Sequence, residues 1–336
     1  MELRQLKYFV RIVELGSLSR ASRDLYIAQP ALSSQVANLE DELGVRLLSR
    51  SVRGVVPTTA GHKLYHHAQA VLRQIERLAS EVSNESATPS GPVSIGIPTS
   101  AANVLAGPLI AATQQRFPDI QLQIVESLSG HLEELVTNGR IEISLLFDDP
   151  FMEEEQLSSN KKSSATNFRR IPLLDEELFL LAAPGGHAST NADISIQDAS
   201  KLRFVLPGRT NATRKLIDHV FESAGHSLNV MTELDSLSTI QSIVASGLGV
   251  TILSLSSIVG PRDPSILSAH SIFDARLRRR LSMCCSDIVA LGAAAECIIT
   301  LLPELIHELV EQDRWPGARL ITMSNGTPSR IDIPLA

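Results

Sequence analysis

Apolar residues recur at helical spacing through the first quarter of the chain and mostly as short runs between turn residues after it. Leu3, Leu6, Val10 and Val13 mark a first helix over residues 2–15, stopped by Gly16. Leu18, Ala21, Ser22 and Leu25 share one face of a second, shorter helix. Ser17 stands where its hydroxyl caps that helix. The chain then turns at Tyr26–Gln29, and Pro30 suits the first position of a new helix, where a missing N–H costs nothing. This third helix turns Leu32, Val36, Leu39 and Leu43 inward and ends at Gly44. Arg53-Gly54-Val55-Val56-Pro57-Thr58 reads as a hairpin turn. A long helix starts at Thr58 or Thr59, with Leu64, Ala68, Val71, Ile75, Leu78 and Val82 spaced alternately by four and three. That spacing is a heptad seam and predicts pairing between chains; the alternative is a helix packed on its own domain.

The run SNESATPSGP over residues 83–92 breaks the pattern and predicts a hinge. Strands and helices alternate beyond it: a strand at Val93–Ile97, a helix from Ala101 to Phe117, a strand at Ile120–Glu126, a helix to Gly139 and a strand at Ile141–Phe147. This βαβαβ order predicts a largely parallel sheet covered on both faces. A second alternation begins near Arg169, with strands at Leu178–Ala183, Phe204–Leu206, Val230–Glu233 and Val250–Leu253, and helices at Ala212–Ala224 and Leu237–Ser246. Arg280–Cys285 reads as a strand and Val289–Glu311 as a terminal helix. Asp148–Thr166 reads as an exposed, mobile loop, and the chain after Trp315 as poorly ordered. The predicted domains are 1–58, a winged helix-turn-helix; 59–86, a linker and dimerisation helix; 87–92, a hinge; 93–312, an α/β regulatory domain; and 313–336, a tail.

The two short helices and the hairpin point to DNA. The exposed start of the third helix offers Gln29, Pro30, Ser33, Ser34 and Asn38, short polar or flat residues suited to base edges and phosphates. Arg20, Arg50 and Arg53 supply positive charge beside them, and an arginine at a wing tip can enter a narrow minor groove. The stretches LKYFVRIVELGSLSRAS, AQPALSSQVANLEDELGVRLLSR and RGVVPTTAG resemble LysR-type transcriptional regulators and, within that family, the nitrogen assimilation control type. The resemblance implies an N-terminal all-α winged helix-turn-helix. It also implies an α/β effector domain of two Rossmann-like halves, like that of periplasmic binding proteins. Operator binding as a homodimer or homotetramer, activation or repression of transcription, and RNA polymerase as a partner follow from it too. It further implies an alternative in which no small molecule is sensed, as in the nitrogen assimilation control type.

A net charge of −7 is unexpected for a DNA binder, but the charge is unevenly distributed. Residues 1–86 hold 11 Lys and Arg against 9 Asp and Glu, while the remainder holds 19 against 28. A local positive patch is what affinity needs. No apolar run reaches the roughly 18 residues of a membrane helix, and MELRQLKYF lacks the shape of a signal peptide, so a cytoplasmic protein is expected. Three cysteines argue against a disulfide framework and fit a reducing compartment. A periplasmic solute-binding protein is disfavoured by the missing signal and by the helix-turn-helix.

The cleft between two α/β halves is where strand ends and helix starts converge on a small molecule. Thr99, Ser100, Ser127, Ser129 and Phe147 follow strands of the first half, and Pro207 and Asn211 flank a strand end and helix start in the second. They are the candidate effector residues, for a small organic anion; the competing role is that these hydroxyls and amides simply cap their helices. No cofactor or metal is expected. His62, His66 and His67 lack the glutamate of a zinc-protease motif, Lys63 standing in its place. Cys284, Cys285 and Cys297 include no C-x-x-C pair and suit buried, inert thiols. Gly247-Leu248-Gly249 lacks the third glycine of a dinucleotide loop, and no nucleophile elbow or phosphate loop occurs, so an enzyme is not expected. Arg278-Arg279-Arg280 reads as a solvated strand entrance in preference to an anion or subunit contact.

Overall fold

Leu6, Phe9, Val10 and Ile12 fill one side of the first helix, α1 (Leu3–Leu15), and the chain folds its next elements against that side. The computed structural model describes residues 1–51, 54–83, 88–148, 168–185, 193–258, 266–273, 275–286 and 291–321. They divide into two compact units, one of Met1–Ala87 with Thr137–Arg140 and Ser286–Gly292, the other of Thr88–Val136, Ile141–Cys285 and the chain from Ala293.

In the first unit α1 packs with α2 (Leu18–Asp24) and α3 (Gln29–Leu43) around Phe9, Ile12, Ala21, Leu32, Val36 and Leu39. Ser17 caps α2, its hydroxyl accepting the Arg20 N–H at 3.3 Å. Gly16 and Gly44 close α1 and α3 in the left-handed conformation. Leu3 and Leu43, expected inside, are 47% and 40% exposed. Each sits in the end turn of its helix, where among the described residues no further element covers the face.

The hairpin is present as β1 (Leu48–Ser51) and β2 (Gly54–Pro57), an antiparallel pair. Glu40 fixes it to α3, one carboxylate oxygen accepting the N–H groups of Leu47 and Leu48. The long helix α4 (Thr59–Ser83) follows, with Thr58 Oγ1 accepting the Gly61 N–H. Leu64 and Ala68 lie against Leu6 and Val10 of α1, so the upper end of the heptad seam packs within its own chain.

Gly61 marks the tightest approach in this unit. A Cβ there would lie 2.0 Å from the Leu47 carbonyl oxygen and 3.1 Å from the Pro57 Cβ. Neither neighbour can yield without moving β1 or β2. Gly61→Ala should therefore destabilise the first unit by about 1–3 kcal/mol. In calorimetry of the full chain its transition should move down while that of the second unit stays. A melting curve identical to wild type would contradict the close approach.

The second unit is built on one mixed sheet. β3 (Gly91–Pro98) runs parallel to β4 (Ile120–Ser127) and β5 (Ile143–Phe147), as the βαβαβ order predicts. α5 (Thr99–Arg116) and α6 (Ser129–Thr137) are the helices of that order. β6 (Phe168–Ala182) is far longer than the strand expected at Leu178–Ala183, and β11 (Arg278–Ser286) lies beside it. Because β11 pairs antiparallel with β5, and β6 antiparallel with β9 (Thr251–Ser254) and β10 (Ser268–His270), one sheet runs through both halves.

The second half adds the short helix α7 (Ile196–Ala199), the parallel pair β7 (Arg203–Leu206) and β8 (Asn229–Glu233), α8 (Ala212–Ser223) and α9 (Leu237–Ala245). Its core is aliphatic apart from the edge-to-face pair Phe204 and Phe221. α10 (Ala293–Glu311) ends the helical part. The chain beyond it is no loose tail at first: Trp315 is 1% exposed, and β12 (Ala318–Leu320) pairs with Leu174–Glu176 of β6. The hinge is also shorter than expected, since β3 starts at Gly91. The loop expected at Asp148–Thr166 lies, after Asp148, outside the described residues. Among the described residues no helix is long and apolar enough to cross a membrane.

Candidate nucleic-acid interface and interior cavity

The start of α3 presents a polar surface. Gln29, Pro30, Ser34 and Asn38 are exposed, Ser33 is half-buried, and Arg20 stands exposed on α2. Ala28 precedes α3 without a side-chain cap, so the first-turn N–H groups keep their positive pole for an anion. Ser19, which sequence reasoning passed over, donates from Oγ to Gln29 Oε1 at 2.9 Å and so sets the direction of the glutamine amide. Arg11 clamps Asp24 with two hydrogen bonds of 2.6 and 2.7 Å, joining α1 to α2; that pairing holds the Asp24 carboxyl below its ordinary range. Arg53 and the side chain of Arg50 lie outside the described residues.

Along α4, Val71 and Leu78 are 40% and 58% exposed and Ile75 is half-buried, while the side chain of Val82 lies outside the described residues. The exposed part of the seam therefore begins at Val71, with Leu64 half-buried and Ala68 buried.

All seven candidate effector residues line one cavity of about 320 Å³ in the second unit: Thr99, Ser100, Ser127, Ser129, Phe147, Pro207 and Asn211. Two of them also do local work. Asn211 Oδ1 accepts the Thr213 N–H at 2.9 Å and caps α8, and Ser129 Oγ accepts the Phe147 N–H at 3.1 Å. Capping and lining are thus compatible roles here. α5, by contrast, follows Pro98 with no side-chain cap, which leaves its first-turn N–H groups beside the cavity.

Arg279 overturns its expected solvation. It is 7% exposed and its guanidinium stacks 3.5 Å from the centre of the Phe147 ring. It donates to Glu176 Oε2 from Nε at 2.9 Å and from Nη2 at 2.7 Å. It also reaches Thr213 Oγ1 at 2.7 Å, Ser100 Oγ at 2.8 Å and Ser254 Oγ at 2.7 Å. Glu176 is fully buried, and its other oxygen accepts from Ser256 Oγ and from Trp315 Nε1 at 2.9 Å. Arg279 thus ties the start of α5, in the first half, to the start of α8, in the second. Strand alternation explains the error: Arg278 faces solvent and Arg280 pairs with Asp175, so the middle arginine alone turns inward.

Residues 3–62 match the family model described as bacterial regulatory helix-turn-helix protein, lysR family, and residues 86–307 the model described as LysR substrate binding domain. The chain belongs to the LysR family. The nitrogen assimilation regulatory protein nac of Escherichia coli (strain K12) is 37% identical over 257 residues, 75% of this chain and 78% of that protein. Among solved structures, a full-length OxyR variant from Pseudomonas aeruginosa superposes with a TM-score of 0.66 at 22% identity, covering 91% of this chain and 95% of that one. Full-length CbnR in complex with its target DNA gives 0.64 at 19% identity, covering 92% and 99%. At these identities the two structures establish the shared fold.

LysR membership makes this chain a DNA-binding transcriptional regulator with a helix-turn-helix and an effector-domain fold, not an enzyme. Cys284 and Cys285 of this LysR protein are buried, and Cys297 is half-buried. Burial pushes the Cys284 thiol up to about 12, which keeps it protonated and unreactive at neutral pH.

Proposed function

We propose that this LysR protein reads its operator through Gln29, Pro30, Ser33, Ser34 and Asn38, with Arg20, Arg50 and Arg53 adding backbone and minor-groove attraction. It acts in the cytoplasm as a homodimer joined along α4 from Val71 onward and assembled into tetramers, with RNA polymerase as its partner in transcription. The observation that carries this is the start of α3: polar, exposed, uncapped, and ordered by Ser19 and Glu40 beside the hairpin. CbnR, of the same fold, was solved holding its target DNA, which supports the same use here.

The regulatory ligand is a small organic anion in the cavity. Its carboxylate lies at the start of α5, where first-turn N–H groups without a side-chain cap and the helix dipole favour negative charge. Such a ligand changes transcription only by binding two conformations unequally, and a cavity lined from both halves can do so by closure. One observation favours a second reading without an effector: Arg279 already bridges Ser100 and Thr213, as a bound molecule would.

A thermal-shift screen of metabolite acids separates the two. At a ligand concentration of a hundred times Kd, a hit should stabilise the wild type by about 2.7 kcal/mol. Thr99→Val and Ser100→Ala should each lose much of that gain. Full retention by both variants would place the ligand elsewhere. No response from the wild type, with DNA binding and regulation intact, would favour the effector-free reading.

A further inference from the structure

We propose that the cavity takes a zwitterionic α-amino acid, its carboxylate at the start of α5 and its ammonium at Asp235. This rests on the cavity being the regulatory site and names the class of ligand.

The carboxylate end follows from hydrogen-bond polarity. Arginine can only donate, so Ser100 Oγ and Thr213 Oγ1 act as acceptors toward Arg279, and each keeps its own hydroxyl proton to give. Both residues line the cavity and are 5% exposed, and among the described residues neither proton has an acceptor. They are donors held in place for an acceptor that enters the cavity. The uncapped start of α5 adds N–H donors at the same end, whereas α8 and α9 are closed by Asn211 and Ser236.

The charge balance favours an anion that carries its own cation. The guanidinium of Arg279 is matched by the buried carboxylate of Glu176, so the pair as a whole carries no net positive charge. Asp235, an exposed residue, adds a carboxylate to the cavity wall, whereas Glu176 lies buried behind Arg279. Asp235 accepts the Gly208 N–H at 3.0 Å, and among the described residues no cation pairs with it. One cation stands against two carboxylates, so a ligand that brings its own ammonium to Asp235 binds more tightly than a plain carboxylate at the same donors. His131 also lines the cavity. The volume of about 320 Å³ exceeds what the two charged groups alone need, and Phe147 and Leu253 offer apolar surface for a side chain.

The test is calorimetric titration of the full chain with the twenty standard L-amino acids and, for each, the carboxylic acid lacking the amino group. Fluorescence of Trp315, the sole tryptophan, reports the site, because its N–H bonds the carboxylate that pairs with Arg279. At least one amino acid should bind and change that fluorescence, and its deaminated acid should bind at least tenfold more weakly. Asp235→Asn keeps an oxygen for the Gly208 N–H. It should lower amino-acid affinity at least tenfold while leaving the deaminated acid no weaker. Deaminated acids binding as tightly as amino acids, or a preference unchanged in Asp235→Asn, would overturn the zwitterion and leave the anion site standing. Failure of every amino acid and every acid would overturn both.

Discussion

Glu176→Ala should lower the unfolding free energy of the full chain by about 3–5 kcal/mol, the range for breaking a buried ion pair from one side. Glu176 is fully buried and the Arg279 side chain is 6% exposed, so neither partner can turn to water. The variant leaves a buried guanidinium without its counter-charge and strips Ser256 and Trp315 of an acceptor. Urea denaturation followed by circular dichroism measures the loss. Glu176→Gln should cost less, because its amide oxygen still accepts from part of the network. The double variant Glu176→Leu with Arg279→Leu should cost less than the sum of the two single changes, since no unpaired charge remains. A loss below about 1 kcal/mol for Glu176→Ala would mean that the pair is hydrated and does not join the halves.

Val71→Asp should yield monomers that bind operator weakly. Val71 is 40% exposed in the single chain, so the substitution should change monomer stability by no more than about 0.5 kcal/mol. In a paired helix the same carboxylate would be dry and unmatched, at a cost of several kcal/mol, on the order of 2–7. Recognition of two half-sites needs two linked recognition helices, so affinity falls with the dimer. Sedimentation velocity checks the assembly. An intact dimer would refute the seam, and unfolding would show that Val71 belongs to its own chain's core.

The first unit was legible because its signals are local. Ser17, Pro30 and Gly44 punctuate the helices, and Leu32, Val36 and Leu39 lie on one face whatever the rest of the chain does. Even there the ends misled: Leu43 fits the period yet has nothing to cover it, and Leu64 and Ala68 keep a heptad spacing while packing on α1. The cavity lining was legible from strand-to-helix junctions, which converge in any such α/β unit. Its charged floor was not. Asp175-Glu176-Glu177 stands just before the strand expected at Leu178–Ala183, and Arg278-Arg279-Arg280 reads as a solvated strand entrance. Each buried charge is tolerable only because of the other, 103 positions away in the chain, and no local pattern shows that pairing. Trp315 was missed for the same reason, since its burial depends on Glu176 and on β12 pairing with β6.

The most direct test of the central claim is a comparison of wild type and Gln29→Ala on DNA. Genomic footprinting of the tagged protein identifies the operator, and titrations at one fixed salt concentration then compare it with random duplex. The account predicts discrete protected sites for the wild type. Gln29→Ala should lose about 1–3 kcal/mol at the operator and little on random DNA, because Gln29 reads bases from a position that Ser19 holds. Equal losses on both duplexes, or a wild type that protects no discrete site, would contradict it.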